Sequence, residues 1–402
     1  MTGRPAPLQI YDRRERALVR IADVLLTPMR WWPRRAMNGP VRRILLMRLE
    51  RIGDLLMVRD AIRDVHAAWP QATIDLAVGS WNAPIASLFE DVAHVILVDV
   101  PWLARGAAGD GWPTLLTKAR RWRDARYDLV INFEPDVRSN LLAWLSRAPA
   151  RIGYASGGGR ACLTDASVYD ARSHVATNAR ALVARAASLC GGTAATDATD
   201  ATPSRLRIPE EARQRTDALL GSAQRPLVGI HSSGGRPSKQ WHLDRFAAVG
   251  RRLAESRGAT VVLTGSAADR AIVDAVKAGL DGVPVVDVGG HVDLLTLSAV
   301  LAELDVLVTG DTGPMHLAAA VGTPVVALFG PSNPARYGPN AAIERILRVD
   351  LPCSPCGQVR LPPERCRGHV PDCLDHIGVD RVVDAALEIL DGAQASRRPE
   401  RA

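Results

Sequence analysis

Residues 306–330 constrain this chain more than any other stretch. The apolar run Val306-Leu-Val308 gives way to Thr309-Gly-Asp-Thr-Gly313, then to Pro314-Met-His-Leu-Ala-Ala-Ala-Val321, and after Gly322 a second apolar run, Val325 to Phe329, begins. Short apolar runs on either side of a helix-forming stretch read as strand, tight turn, helix and strand, the βαβ unit of a parallel sheet. Glycine and small side chains permit the turn, proline suits the first helical turn, and glycine ends the helix. Backbone N–H groups at such a helix start lack partners and make a seat for a diphosphate, with His316 in the first turn. A plain turn of an α/β domain, with no ligand, is the alternative on fold grounds alone.

Two further segments repeat the pattern. Residues 226–246 run from an apolar strand through His231-Ser-Ser-Gly-Gly235 to an amphipathic helix starting near Leu243. Lys239 stands out there, because the chain has only Lys118, Lys239 and Lys277 among its 50 lysines and arginines. A lysine ammonium is a compact charge that meets a phosphate oxygen without the planar fork of arginine; the bland reading is a solvated loop lysine. Residues 41–70 run from a buried strand through Glu50-Arg-Ile-Gly-Asp54 into a helix that stops at Pro70. Asp54 is read either as a carboxylate favoured by the helix N-terminus or as a general base at the C-terminal end of the first strand, where open α/β sheets place ligands.

Strands are predicted at 44–49, 74–78, 95–98 and 129–133, then at 228–231, 261–264, 285–288, 306–308 and 325–329, alternating with helical stretches. That alternation predicts two parallel-sheet units. Between them, residues 191–204 are rich in Thr, Ala, Asp and Gly and read as a flexible excursion near the boundary.

Taken together, these segments resemble glycosyltransferase family 9, the ADP-heptose:lipopolysaccharide heptosyltransferases. The likeness covers about residues 41 to 390 and rests on Arg51-Ile-Gly-Asp54, Lys239-Gln-Trp241, Asp311-Thr-Gly-Pro-Met-His316 and Gly322-Thr-Pro-Val-Val-Ala-Leu-Phe-Gly-Pro331. The resemblance implies an α/β protein of GT-B architecture, two Rossmann-like parallel-sheet domains facing each other across a cleft. It divides the chain into a basic amphipathic extension at 1–40, an acceptor-side domain at 41–215 with a linker near 191–224, and a donor-binding domain at 225–390 that includes a cysteine cluster at 353–373. It also implies an inverting, metal-independent transfer in which Asp54 takes the proton of the acceptor hydroxyl and Lys239 meets the donor phosphates. Asp311, Thr312, Gly313 and His316 would line the donor pocket. His231, Ser232 and Ser233 fall where the family places small hydroxyl residues near the phosphates, His231 being a departure from that pattern. Asp269 corresponds to an acidic residue that contacts the nucleoside.

The residue inventory fits this chemistry without the name. Displacing a nucleoside diphosphate by a sugar hydroxyl needs a base on one face and charge neutralisation of the leaving diphosphate on the other. No Asp-x-Asp pair of the kind that holds a divalent ion occurs in the chain, so no catalytic cofactor is expected. A dinucleotide-binding Gly-x-Gly-x-x-Gly is missing after the first strand, and no Gly-x4-Gly-Lys-Ser/Thr loop is present.

The net charge of +7 accompanies scattered arginines and no nucleic-acid motif, so nucleic acid is not the expected partner. Residues 11–35 combine arginines with an apolar stripe and the pair Trp31-Trp32. They read either as an extra helix packed on the first domain or as a peripheral anchor on an anionic inner-membrane surface presenting a lipid-linked glycan acceptor. With no long uncharged apolar run and no leader-like segment, the expected location is the cytoplasm, alone or peripheral to the inner membrane.

Cys162 and Cys190 stand alone and read as buried free thiols, whereas Cys353, Cys356, Cys366 and Cys373 cluster with His369 among turn-forming prolines. In a reducing compartment such clusters bind metal more often than they form disulfides, although the step from Cys356 to Cys366 is short for a zinc ribbon and free thiols are the alternative. The similarity to autotransporter heptosyltransferases, which carry iron on a comparable cluster, leaves structural zinc and iron both open.

The function expected from all this is heptosyl transfer from ADP-heptose to a hydroxyl of a lipopolysaccharide inner core or related glycan. A protein acceptor or another nucleotide sugar would use similar donor loops, and a non-catalytic nucleotide-sugar-binding protein is a reading from a different class.

Overall fold

The computed structural model describes residues 8–397, apart from 11, 34, 38, 104–108, 194–204 and 361. The chain forms two compact units that divide between residues 201 and 202. Each contains one six-stranded sheet, and every paired strand runs parallel to its neighbours.

In the first unit the strands are β1 (Arg43–Met47), β2 (Thr73–Val78), β3 (His94–Leu97), β4 (Leu129–Asn132), β5 (Ala150–Tyr154) and β6 (Asp165–Ser167), ordered β3-β2-β1-β4-β5-β6. Ile44 is in register with Ile74 on one side and Leu129 on the other. β1 and β4 are buried almost throughout because helices cover both faces of a parallel sheet, which is why both read as continuous apolar runs. One face of the core joins Leu45, Met47, Val130 and Tyr127 to Leu115 and Trp122 of the helix Trp112–Asp124.

The second unit repeats the order with β7 (Leu227–His231), β8 (Thr260–Thr264), β9 (Val285–Asp287), β10 (Val306–Gly310), β11 (Val325–Leu328) and β12 (Glu344–Leu347), arranged β12-β11-β10-β7-β8-β9. Its core gathers Val228, Ile230, Val306 and Val326 with Trp241, Phe246, Ile389 and Leu390. Trp241 and Phe246 meet edge to face with centroids 4.9 Å apart, so Trp241 is a core residue rather than a ligand platform. The helix Gly313–Val321 ends at Gly322, whose φ of 94° is a left-handed conformation that a side chain would strain. Residues 205–220 go with this unit: Leu206 N–H donates to the Ala320 carbonyl, and Arg215 on the helix Glu210–Leu220 pairs with Asp293 at 3.0 Å. The stretch up to 215, assigned from sequence to the first domain, therefore packs with the second.

In both sheets the order reverses once, between β1 and β4 and between β7 and β10. Loops leaving adjacent strands there turn to opposite faces and open a crevice at the strands' C-terminal ends, where α/β sheets take ligands. Asp54, Lys239 and Asp311, singled out from sequence, lie at these two places.

Candidate active site

At the first reversal, β1 is followed directly by Arg48, a residue only 4% exposed. Its Nη1 donates to the Phe133 carbonyl at 2.8 Å, its Nε to the Asp54 carbonyl at 3.1 Å, and its Nη2 to Asp54 Oδ1 at 3.1 Å. Asp54 stands in the first turn of the short helix Ile52–Met57, with its side chain 22% exposed. Its carboxylate thus serves Arg48, which the capping reading did not foresee.

A second carboxyl closes around this pair. Glu134, buried in the loop after β4, lies 3.6 Å from Arg48 Nη1 and accepts the Glu50 N–H at 2.9 Å. The Glu50 carbonyl in turn accepts from Trp81 Nε1 at 2.9 Å and Asn82 Nδ2 at 2.6 Å, which pins the loop. Burial, then the charges of Asp54 and Glu134, push the Glu50 carboxyl well above its ordinary range against the pull of Arg48. Burial also raises Glu134, with Arg48 opposing and Asp54 adding to the shift. Arg48 stays charged, since Glu134, Asp54 and Glu50 outweigh its own desolvation.

At the second reversal, Lys239 Nζ and Asp311 Oδ2 form an ion pair at 2.8 Å, with side chains 18% and 12% exposed. Lys239 ends the one-turn helix Pro237–Lys239 in the loop after β7, and Asp311 follows β10 directly. The loop is folded back on itself by Gln240, which accepts the Gly234 N–H at 2.8 Å and donates to the Ser232 carbonyl at 2.6 Å. A Cβ at Gly234 would come within 2.7 Å of the Lys239 backbone, so only glycine allows this fold-back. The next residue, Thr312, occupies the cap position of Gly313–Val321 without capping it through its side chain, and Pro314 sits in the first turn. The Thr312 side chain therefore satisfies none of the first amides of that helix, the position where α/β loops take anions. His316 is buried in the same helix.

Beside this pair, Ser233 Oγ donates to Asp269 Oδ1 at 2.7 Å and His231 Nδ1 lies 3.1 Å from Thr264 Oγ1. Burial depresses His231 to about 4, against the nearby charge of Asp269, so the imidazole is neutral at physiological pH. Asp269 is partly desolvated, yet hydrogen bonds from Ser266 and Ser233 hold its carboxyl below the ordinary range. The donor-side residues expected from sequence, His231, Ser232, Ser233, Lys239, Asp269, Asp311, Thr312, Gly313 and His316, thus belong to one strand-end cluster of the second unit. Asp54 belongs to the first unit.

Arg48, Glu50, Glu134 and Gln240 had no assigned role in the sequence. A usable signal was present: Arg48 interrupts the apolar run 44–49 and Glu134 directly follows the run 129–133, places where a buried charge needs a partner.

The four clustered cysteines follow β12, with Cys366 ending the one-turn helix Glu364–Cys366 and Cys373 in the short helix Asp372–Asp375: Cys353 is exposed, Cys356 and Cys366 are half-buried, and Cys373 is buried. Burial and the neighbouring Cys356 and Cys366 thiols push Cys373 up to about 11. Among the described residues no group of three or more His, Cys, Asp or Glu side chains is found that could hold a metal ion. Cys162 and Cys190 are buried and free.

The extension forms the helix Arg13–Leu26, capped by Asp12, and packs by one face on the first unit. Val19 is buried, Asp23 Oδ1 accepts the Gly159 N–H at 2.5 Å, and Trp32 meets Trp144 edge to face at 5.9 Å. Leu18, Ile21, Val24, Leu25 and Trp31 remain exposed. Among the described residues no helix is long and apolar enough to cross a membrane.

Residues 116–363 match the model of glycosyltransferase family 9 (heptosyltransferase). The chain is 28% identical over 318 residues to lipopolysaccharide heptosyltransferase 2 of Salmonella typhimurium, covering 76% of this chain and 88% of that one. In fold it is similar to the solved E. coli ADP-heptose lps heptosyltransferase II, with a TM-score of 0.71 and 23% identity over 88% of this chain and 99% of that one. It is also similar to E. coli heptosyltransferase WaaC with ADP-2-deoxy-2-fluoro heptose, with a TM-score of 0.62 and 22% identity over 86% and 99% of the two chains.

Proposed function

This chain belongs to glycosyltransferase family 9 and is a glycosyltransferase with the two Rossmann-like sheets of a GT-B protein, and from that premise we propose that it transfers heptose from ADP-heptose to a hydroxyl of a lipopolysaccharide inner core. The observation that carries the reading is the paired chemistry of the two strand-order reversals. One holds a carboxylate tied to a buried arginine, Asp54 and Arg48, and the other holds Lys239 beside an uncapped helix start.

In this reading the second unit takes the donor. The Thr312 and Gly313 amides cup the diphosphate, Lys239 turns from Asp311 to a phosphate oxygen, and Asp311 is released to sugar or ribose hydroxyls. Asp269 and Ser233 face the nucleoside and phosphates. His231, being neutral, contributes hydrogen bonds and not charge. Asp54 accepts the acceptor hydroxyl's proton as that oxygen bonds to the anomeric carbon, while the bond from that carbon to the diphosphate breaks on the opposite face, inverting the configuration. Lysine and backbone amides stabilise the departing diphosphate in place of a metal ion.

Two further parts belong to the proposal. Leu18, Ile21, Val24, Leu25 and Trp31, flanked by Arg13, Arg14 and Arg20, would rest on an anionic inner-membrane surface where a lipid-linked acceptor is presented. Cys353, Cys356, Cys366 and Cys373 would hold a structural zinc or iron, the thiolate set suiting either, with the ion drawing the thiols together. The experiment that tests the function is a panel of nucleotide sugars offered to the purified enzyme: saturation and turnover by ADP-heptose support it, and saturation by a different nucleotide sugar alone overturns the donor assignment.

A further inference from the structure

A base works only when its carboxylate is held toward the proton it takes, and Asp54 stands in the first turn of a helix of six residues. The guanidinium of Arg48 does the holding. It reaches Asp54 twice, from Nε to the backbone carbonyl and from Nη2 to Oδ1, each at 3.1 Å. The turn that carries the carboxylate and one of its oxygens are therefore tied to the same rigid plane. The third arm, Nη1, donates to the Phe133 carbonyl at 2.8 Å and lies 3.6 Å from Glu134 Oε2. The other oxygen of Glu134 accepts the Glu50 N–H at 2.9 Å, so Glu134 links the loop after β4 both to the arginine and to the loop that leads into Asp54.

We infer that Arg48 is a positioning residue for the transfer, its guanidinium seated by Glu134 and the Phe133 carbonyl so that it holds the Asp54 carboxylate in one orientation toward the acceptor hydroxyl. This rests on the reading of Asp54 as the base. Arg48 itself is only 4% exposed and acts through Asp54, without touching the reacting atoms. What the role requires is the shape of the fork as well as its charge. A lysine at this position keeps the charge beside Asp54 and Glu134, but its single nitrogen cannot direct hydrogen bonds at fixed angles to the Asp54 carboxylate, the Asp54 carbonyl and the Phe133 carbonyl together. Removing the charge altogether would leave the buried Glu134 carboxyl without its cation, so an alanine would report on folding before it reported on orientation.

The test compares Arg48→Lys, Asp54→Asn and the double variant in the full chain, measuring kcat, the affinity for ADP and the melting temperature. Arg48→Lys should lower kcat by about 10²-fold, the scale of a misplacement near 1 Å, with ADP affinity unchanged. In the Asp54→Asn background the same substitution should have no further effect on kcat, to within about two-fold, because the group it aims is already gone. A purely structural arginine would instead reduce kcat by the same factor in both backgrounds. Glu134→Gln keeps the guanidinium and serves as a second variant should Arg48→Lys not fold: it too should lower kcat in the wild type and leave Asp54→Asn unaffected. Near-normal kcat in a folded Arg48→Lys, or equal losses in the two backgrounds from either variant, overturns the inference. A full loss in Asp54→Asn with none in Arg48→Lys leaves the base reading standing and removes the arginine, whereas near-normal kcat in Asp54→Asn refutes the base reading and the inference with it.

Discussion

Lys239 Nζ lies 2.8 Å from Asp311 Oδ2, tying the loop after β7 to the loop after β10 at the point where the second sheet reverses its strand order. The family resemblance gave these residues separate tasks, the lysine on the donor phosphates and the aspartate in the lining of the donor pocket. Their pairing means that each holds the other in place until a donor competes for the lysine. Lys239→Ala should lower kcat/KM by about 2–4 kcal/mol, weakening donor binding and slowing transfer together. Asp311→Asn should also cost activity, and the double variant should lose less than the two single losses added, with a coupling of about 0.5–3 kcal/mol. Strict additivity in steady-state kinetics would remove the pair from the site.

His231 gives stability a specific pH dependence. Its folded pKa of about 4 lies below the ordinary 6.5, so folded and unfolded states both hold it neutral above that upper value. As pH falls between the two values, the unfolded chain takes up a proton that the folded chain refuses, and stability drops, by up to about 3 kcal/mol. Denaturant unfolding of wild type and His231→Gln from about pH 7 to about pH 4.5 should show the wild type losing the larger share. Parallel curves would contradict a neutral buried imidazole.

Most of the fold was legible because buried parallel strands are apolar on both faces. β1, β4, β7, β8, β10 and β11 announced themselves that way. β5, Ala-Arg-Ile-Gly-Tyr, did not: its Arg151 is buried, with its charge met by the Cys162 and Ala148 carbonyls, a tertiary arrangement that no local pattern reveals. β6 and β12 are short edge strands with polar residues and carry little apolar signal. At the first strand-order reversal, the partners of Asp54 were not legible in the sequence. Arg48 and Glu134 are 86 positions apart in sequence, with Glu134 coming from a different strand end, and only the sheet order brings them together.

For the cysteine segment, elemental analysis of purified protein should find close to one zinc or iron per chain, and Cys353→Ser with Cys356→Ser should lower metal content and melting temperature together. Transfer itself should survive EDTA in the assay. Metal-free protein of normal stability would return the thiols to the free state, and activity lost to EDTA and restored by magnesium would refute a metal-independent displacement.

The helix Arg13–Leu26 should bind vesicles containing anionic phospholipid and ignore zwitterionic ones, with binding weakened by salt. Leu18→Ser, Ile21→Ser and Leu25→Ser combined should abolish co-sedimentation while leaving Val19 and Asp23, which fasten the helix to the first unit, untouched. Equal binding by the triple variant would show that this face is not the docking surface.

The account turns on Asp54 as the base, and the turnover of Asp54→Asn measures that most directly. Asparagine keeps the shape and can still accept a hydrogen bond from Arg48, but it cannot take the acceptor's proton. With donor affinity and melting temperature close to wild type, kcat should fall by about 10²–10⁴, the usual contribution of general-base catalysis. Near-normal kcat in a folded, donor-binding Asp54→Asn would contradict the mechanism.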